Sequence, residues 1–268
     1  MIPKYFSQCP LKISEDLLNI SNKQKQIAIY GKTKNINLLS KFTNLQKIWI
    51  FGINQNQAEN IFSNIDPEIL IMNEIRTNDL KFLNKLKKIK ELSLTWSTKI
   101  TDIKPLAKLT NIKILQIQDF SSLHDISPLK NLINIKILDL SGGMWNKFKI
   151  KNLKPLTNLV NLKYLCLTNI GISDDSLNPL SKLTALKELY ISNQFPTEEY
   201  AYLSVHLKNT KCTHFKPFIK FSSSIEEHDI MIVGKRKPFL NSKKDKEKIE
   251  KYINKFEKLQ KEYKTSNL

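Results

Sequence analysis

The sequence predicts an α/β solenoid with three features: short parallel strands stacked along a concave face, irregular or 3-10 turns outside, and a C-terminal amphipathic helix. Three observations predict it. Proline precedes leucine in one apolar frame four times, at Ile103-Lys-Pro105-Leu106, Ile126-Ser-Pro128-Leu129, Leu153-Lys-Pro155-Leu156 and Leu177-Asn-Pro179-Leu180. Apolar residues at every third position then lead into a strand, as in Leu106, Leu109, Ile112, Leu115 and Ile117. Finally, an apolar-x-apolar pair recurs along the chain at Ile27/Ile29, Ile48/Ile50, Ile69/Ile71, Leu92/Leu94, Leu115/Ile117, Leu138/Leu140, Leu165/Leu167, Leu189/Ile191 and, weakly, Cys212/His214. The spacings are 21, 21, 23, 23, 23, 27, 24 and 23 residues. A period in this range marks a stacked array, because one turn cannot bury its apolar face without a neighbour.

Each element has a physical reason. The paired residues of a strand point into the core because side chains alternate across a strand. On the outer arc, apolar residues three apart suit a 3-10 turn, and proline fits there because it fixes φ and needs no ladder partner. Residues 1–26 are expected to form an N-terminal cap, with Ser14-Glu-Asp-Leu-Leu18 a capped helical turn. Residues 27–215 form the solenoid of eight to nine repeats. Two repeats, Ile48 to Asp66 and the one after Ile191, lose the outer apolar frame. Residues 216–240 are a strand and linker, with Asp229–Val233 the strand. Residues 241–268 form a basic amphipathic helix with Ser242 and Asp245 at its N-cap. Its apolar stripe is Ile249, Tyr252, Ile253, Phe256, Leu259 and Tyr263. That stripe either folds back over the last repeat or meets a membrane surface or partner groove.

The pattern L-x-x-L-x-L at this spacing resembles the leucine-rich repeat. The four I/L-x-P-L copies resemble the short repeat of bacterial internalins and of the eukaryotic phosphatase-regulator class. The resemblance covers residues 27 to 215 and implies a partner-binding array without chemistry of its own. The consensus asparagine after the strand is replaced by Ser97, Phe120, Gly143, Ile170 and Gln194, so a regular asparagine ladder is not expected.

Composition bounds the rest. The chain of 268 residues carries a formal charge of +18, of which residues 235–268 hold 12 Lys/Arg against 5 Asp/Glu. An acidic protein partner would match that charge. Nucleic acid or an anionic surface meeting the Lys-rich tail is the alternative. Lys104, Lys108, Lys130, Lys154 and Lys182 fall on outer turns and read as a solvated convex face. No apolar run is long enough to span a membrane, and Met-Ile-Pro-Lys-Tyr-Phe-Ser-Gln lacks a secretory segment. Internalins proper carry a signal and a surface anchor, and neither is visible here. A monomeric cytoplasmic protein is expected, with signal-free secretion as a host-directed effector the alternative. Cys9, Cys166 and Cys212 lack C-x-x-C spacing and read as reduced thiols.

Chemistry is not expected. Gly31-Lys32-Thr33 follows a strand, but a phosphate-binding loop needs glycine five positions before Gly31, and Gln26 stands there. His124, His206, His214 and His228 show no paired metal spacing and read as surface or loop residues. No cofactor or metal is implied, and the chain reads as a protein-binding module, in its narrower form an inhibitor or immunity-type protein. Its candidate contacts fall in three groups. Trp49, Phe51, Leu70 and Met72 form an apolar patch near the N-terminal end of the concave face. Tyr164 and Tyr190 stand on its polar field with Asp139 and Glu188. Trp96, Phe120, Trp145 and Phe195 read as one rim series, with Met144 beside Trp145 in the loop lengthened by the 27-residue repeat.

Overall fold

Leucine and isoleucine at the strand positions build one continuous core, and the sheet follows from stacking them. The computed structural model describes residues 6–10, 12–225 and 227–265. Nine strands form one sheet in the order β1 (Ser14–Asp16), β2 (Gln26–Lys34), β3 (Lys47–Phe51), β4 (Ile69–Asn73), β5 (Glu91–Ser97), β6 (Ile114–Phe120), β7 (Ile137–Ser141), β9 (Tyr164–Leu167) and β11 (Glu188–Ile191). Every neighbouring pair is parallel. Two short strands, β8 (Phe148–Ile150) and β10 (Ile170–Ile172), pair with each other where the chain turns outward.

The register places Ile27, Ile48, Leu70, Leu92, Leu115, Leu138, Leu165 and Leu189 side by side. All are buried. Each fully buried Leu or Ile contributes about 1.5–3 kcal/mol of transfer free energy, so the file is a main source of stability. One expectation is corrected here. The inward pair of β4 is Leu70/Met72, both 0% exposed, and Ile69 and Ile71 face the concave side half-buried. A one-residue slip exchanges the two faces of a strand.

Four outer turns carry their proline in the first positions of a 3-10 segment: Lys104–Lys108, Ser127–Asn131, Lys154–Asn158 and Asn178–Lys182. A polar residue begins these turns. Asp102, Asp125 and Asn152, like Asp79 before Lys81–Lys85, accept the N–H two residues on at 2.7–3.0 Å. These Asx turns redirect the chain from strand exit to outer arc. The backbone bonds hold the Asp79 and Asp125 carboxyls below their ordinary range.

The two repeats without the outer frame form α-helices instead. In α1 (Gln55–Phe62), Ala58, Ile61 and Phe62 follow helical spacing, and Asn54 with Gln57 makes a capping box. α2 (Thr197–His206) buries Tyr200, Ala201 and Leu203.

Both ends depart from expectation. Ser14–Asp16 is a strand paired with β2, not a helical turn. At the far end, Lys211 makes one bridge to Glu188, so the proposed Cys212/His214 strand is absent. The ninth strand therefore stands at the N-terminal edge. Beyond the repeats, β12 (Phe218–Ile225), β13 (His228–Ile232) and β14 (Phe239–Leu240) form an antiparallel sheet. The helix α3 (Lys246–Thr265) folds back on α2, burying Ile249 and Phe256. Tyr263 meets Tyr202 edge to face at 5.4 Å, and Lys255 binds Glu198 at 2.7 Å. Ser242 is not the helix cap: Asp229 accepts its N–H and hydroxyl at 2.7 and 2.6 Å.

Candidate recognition surface

Alternation along the strands leaves three rows on the concave face. The first runs Gln26, Lys47, Ile69, Glu91, Ile114, Ile137, Tyr164, Glu188. The middle row runs Ala28, Trp49, Ile71, Ser93, Gln116, Asp139, Cys166, Tyr190. The third runs Tyr30, Phe51, Asn73, Thr95, Gln118, Ser141. At about 4.8 Å per strand, the face is on the order of 40 Å long.

Its centre is a hydrogen-bonded network. Ser93 donates to Gln116 at 2.6 Å, and Gln116 Nε2 donates to Asp139 at 3.0 Å. Ser141 donates to Asp139, and Thr168 donates to Ser141 at 3.0 Å. Burial pushes the Asp139 carboxyl up, against the hydrogen bonds from Ser141 and Gln116. Burial and the nearby Asp139 carboxylate push the Cys166 thiol up as well. A reactive cysteine needs the opposite environment, so Cys166 is a packed thiol. Cys212, pushed up to about 12 by burial, is another. Among the described residues, no group of His, Cys, Asp and Glu is placed to hold a metal ion. Gly31-Lys32-Thr33 lies inside β2 as extended chain, and only a 3-10 segment, Ile36–Lys41, follows it.

The apolar patch expected at the N-terminal end is largely unavailable. Trp49 is 2% exposed and Leu70 and Met72 are core residues; only Phe51 keeps partial exposure. No helix covers Trp49 among the described residues of the N-terminal stretch. Trp49 stands in the middle row between Ala28 and Ile71 of the neighbouring strands. Tyr164 and Tyr190 lie on the concave face as expected, half-buried, with the Tyr190 hydroxyl donating to Glu188 at 2.5 Å.

The exit rim separates the aromatic series into two kinds. In five repeats the residue two places after the inward pair takes a left-handed backbone: Gly52, Glu74, Trp96, Asp119 and Asn169, at φ 65, 55, 58, 57 and 49°. Trp96 occupies that position and is 53% exposed. Phe120 aligns with Ser97, one residue later, and is fully buried, as is Phe195. The left-handed Asp119 shifts the in–out parity at Phe120; Phe195 is buried against Tyr200, so both are core residues and not contacts.

Trp145 and Met144 are displayed, 88% and 85% exposed, at the tip of a loop fixed at its base. Gly142 donates to the Thr168 carbonyl at 3.0 Å, and Gly143 donates to the Asn146 carbonyl at 2.9 Å. Asn169 Nδ2 donates to the Gly143 carbonyl at 2.7 Å. A Cβ on Gly142 would stand 2.2 Å from the Asn169 carbonyl, which explains glycine there. Asn169 is the pin that sequence reasoning missed. It stands one place before Ile170, where the repeat consensus was sought.

The opposite edge carries a second feature without a sequence expectation. Lys90, Lys113, Lys136, Lys163, Lys187 and Lys211 occupy the same place in six consecutive repeats; from Lys113 on, each N–H donates to the preceding lysine's carbonyl at 2.8 Å, and that of Lys90 donates to the Glu68 carbonyl at 2.7 Å. Five are exposed and Lys163 is partly so, which makes a cationic file one strand spacing apart. The outer-turn lysines Lys104, Lys108, Lys130, Lys154 and Lys182 are exposed on the convex side, as expected. His214 is not a surface histidine: it is 7% exposed, against Tyr200. No described helix is long and apolar enough to cross a membrane.

Comparison with known proteins places this architecture. Neither a scan against protein-family models nor a search of curated proteins finds a match. Among solved structures, an internalin (inlF) from Listeria monocytogenes is 23% identical over 72% of this chain and 68% of its own, with a TM-score of 0.50. A leucine-rich-repeat protein from Leptospira interrogans is 20% identical over 65% of this chain and 43% of its own, with a TM-score of 0.51. Internalin C2 from Listeria monocytogenes is 25% identical over 63% of this chain and 73% of its own, with a TM-score of 0.46. The short period, the proline-bearing outer turns and the likenesses to inlF and to the Leptospira protein agree: the chain folds as a leucine-rich-repeat solenoid.

Proposed function

We propose that this protein is a non-catalytic recognition module that binds a protein with an acidic surface. The observation that carries the reading is Trp145 on its loop. A large apolar side chain 88% exposed on a pinned backbone costs solvation, and it loses little entropy on binding. Trp96 and Met144 share that exit rim, with Phe51 on the adjoining concave face; Tyr164 and Tyr190 lie farther in, beside Phe6. The lysine file on the opposite edge supplies charge that steers an acidic partner. A standard interface of about 800 Å² per partner fits within such a surface. Occlusion of the bound protein, as an inhibitor or immunity-type protein would do it, is the narrower form of this reading.

The α3 stripe supports this reading over nucleic-acid or membrane binding through the tail, because Ile249 and Phe256 are spent on packing. The test is capture from native lysate with and without nuclease. The parent is compared with Trp96→Ala/Trp145→Ala and with Lys113→Glu/Lys136→Glu. One nuclease-resistant protein, retained by the parent and lost by both variants, is the expected result. Nuclease-sensitive recovery indifferent to the rim change would move the function to the basic surfaces and overturn the proposal.

A further inference from the structure

Phe6 and Ser7 lie on the concave face far from the strand that follows them. The Ser7 N–H donates to Glu91 Oε1 at 2.6 Å and its hydroxyl to Oε2 at 2.9 Å, so one residue occupies both oxygens of a carboxylate that is 5% exposed. Phe6 packs on the apolar spot formed by Ile114, Ile137, Cys166, Tyr164 and Tyr190. The first strand of the chain begins at Ser14, paired with β2 at the edge of the sheet. From β5 to β1 is four strand spacings, about 19 Å. Seven residues of extended chain span roughly 23 Å. Residues 6–10 therefore cross the concave face without joining the sheet as a strand. It makes no ladder bonds between Phe6 and Pro10, and Gln8 and Cys9 are exposed. Its hold among the described residues of 6–10 is one aromatic anchor and one two-pronged hydrogen bond. The groove beneath has the complementary features, an apolar seat and, on the strand next to Ile114, a buried carboxylate that needs donors.

We propose that the concave groove is a receptor site for an extended peptide of a partner protein, bearing an aromatic residue followed by a hydroxyl residue with a free N–H. Residues 6–10 fill that site in cis. The partner peptide seats its aromatic on Ile114, Ile137 and Cys166 and gives its donors to Glu91, and the cis segment must leave for it to enter. A short tether holds its own segment at an effective concentration of about millimolar, so the closed form disfavours a free peptide until the segment is released. This surface is separate from the exit rim, and failure of the rim variants would leave it untouched.

The test uses the full chain and a fluorescein-labelled peptide of residues 4–10, Lys-Tyr-Phe-Ser-Gln-Cys-Pro, read by anisotropy under reducing conditions. The chain is opened by Phe6→Ala with Ser7→Pro, which removes the anchor and both donors. The opened variant is expected to bind the peptide at least tenfold tighter than the parent. Glu91→Gln in that background, or Ala for Phe6 in the peptide, should weaken binding at least tenfold. An opened variant that is folded by circular dichroism yet binds no better than the parent overturns the proposal. Should the variant not fold, hydrogen exchange on the unmodified protein decides. Exchange of the Ser7 amide at least a hundredfold faster than the buried amides of β5 supports a displaceable segment. Exchange as slow as β5 makes the segment a fixed part of the core, and the proposal fails.

Discussion

Tyr200 and His214 stack with ring centroids 5.4 Å apart and 26° between their planes, closing the C-terminal end of the core. Tyr200 is fixed from three sides: its hydroxyl donates to the Ser192 carbonyl at 2.5 Å and accepts the N–H groups of Gln194 and Phe195 at 3.1 and 3.2 Å. His214 Nδ1 meets the Thr213 hydroxyl at 3.1 Å, and Nε2 has no hydrogen-bond partner among the described residues. Burial, with Lys216 nearby, holds the imidazole down at about 4.

This pair makes stability depend on pH in a defined window. The unfolded chain takes up a proton at His214 near pH 6.5, and the folded protein refuses it until about pH 4. Stability contributed by the neutral, buried form is present above pH 6.5 and declines as pH falls toward 4. Between pH 7 and 5 the loss should be about 2 kcal/mol. Urea midpoints at the two pH values measure it. His214→Phe keeps a ring against Tyr200 and should flatten the dependence; an unchanged slope would assign it to another group. The carboxylates of Asp79 and Asp125 act lower, their stabilisation being lost as pH falls through and below about 4.

The register of β4 gives a second prediction. Leu70→Ala opens a cavity in the leucine file and should cost about 2–5 kcal/mol. Ile71→Ala removes a half-buried concave side chain and should cost about half of that or less. Equilibrium denaturation of the two single variants measures the difference, and the reverse order would restore the slipped register.

That strand also shows why part of the architecture was legible and part was not. From Leu92 to Ile191 each repeat carries the proline frame or alternates apolar and polar residues, so the period assigns every inward side chain. Ile69-Leu-Ile-Met72 is apolar throughout and gives two registers equal standing; only pairing with Ile48 and Leu92 decides between them. Phe120 was misplaced for a local reason, because a left-handed residue at Asp119 shifts the parity by one. Trp49 was misplaced for a distant one. It stands between Ala28 and Ile71, twenty-one and twenty-two places away in the chain, and no periodic pattern records how deeply that row is buried. Trp145 was legible because four extra residues and two glycines in one repeat must leave the stack.

The three tryptophans should therefore behave differently. Trp49→Ala removes a buried ring and should cost about 3–5 kcal/mol. Trp145→Ala should change stability by no more than about 0.5 kcal/mol. Acrylamide quenching should be strong for Trp145 and Trp96 and weak for Trp49, read with each tryptophan kept alone and the other two changed to Phe. A strongly quenched Trp49 would mean that the middle row of the concave face is open to solvent at β3.

The last prediction concerns the helix that ends the chain. Phe256 is 1% exposed and anchors α3 against α2, while Lys255–Glu198 and Gln260–Ser204, at 2.7 Å each, lie at the margin of the same contact. The apolar anchor should dominate, because an exposed ion pair contributes about 0–1 kcal/mol, whereas truncating a buried phenylalanine costs about 3–5 kcal/mol. Phe256→Ala should then release α3 and leave the stack of strands in place. Limited trypsin digestion measures this directly, since Lys251, Lys255, Lys258 and Lys261 lie along the helix. Cleavage within α3 should accelerate at least tenfold in Phe256→Ala and change little in Lys255→Ala. If both variants are cut at the parent rate, the helix is held by the rest of its stripe, Ile249, Leu259 and Tyr263, and not by Phe256. If the whole chain is degraded instead, α3 is part of the core that holds the last repeats closed, because the cap and the strands then open in one step.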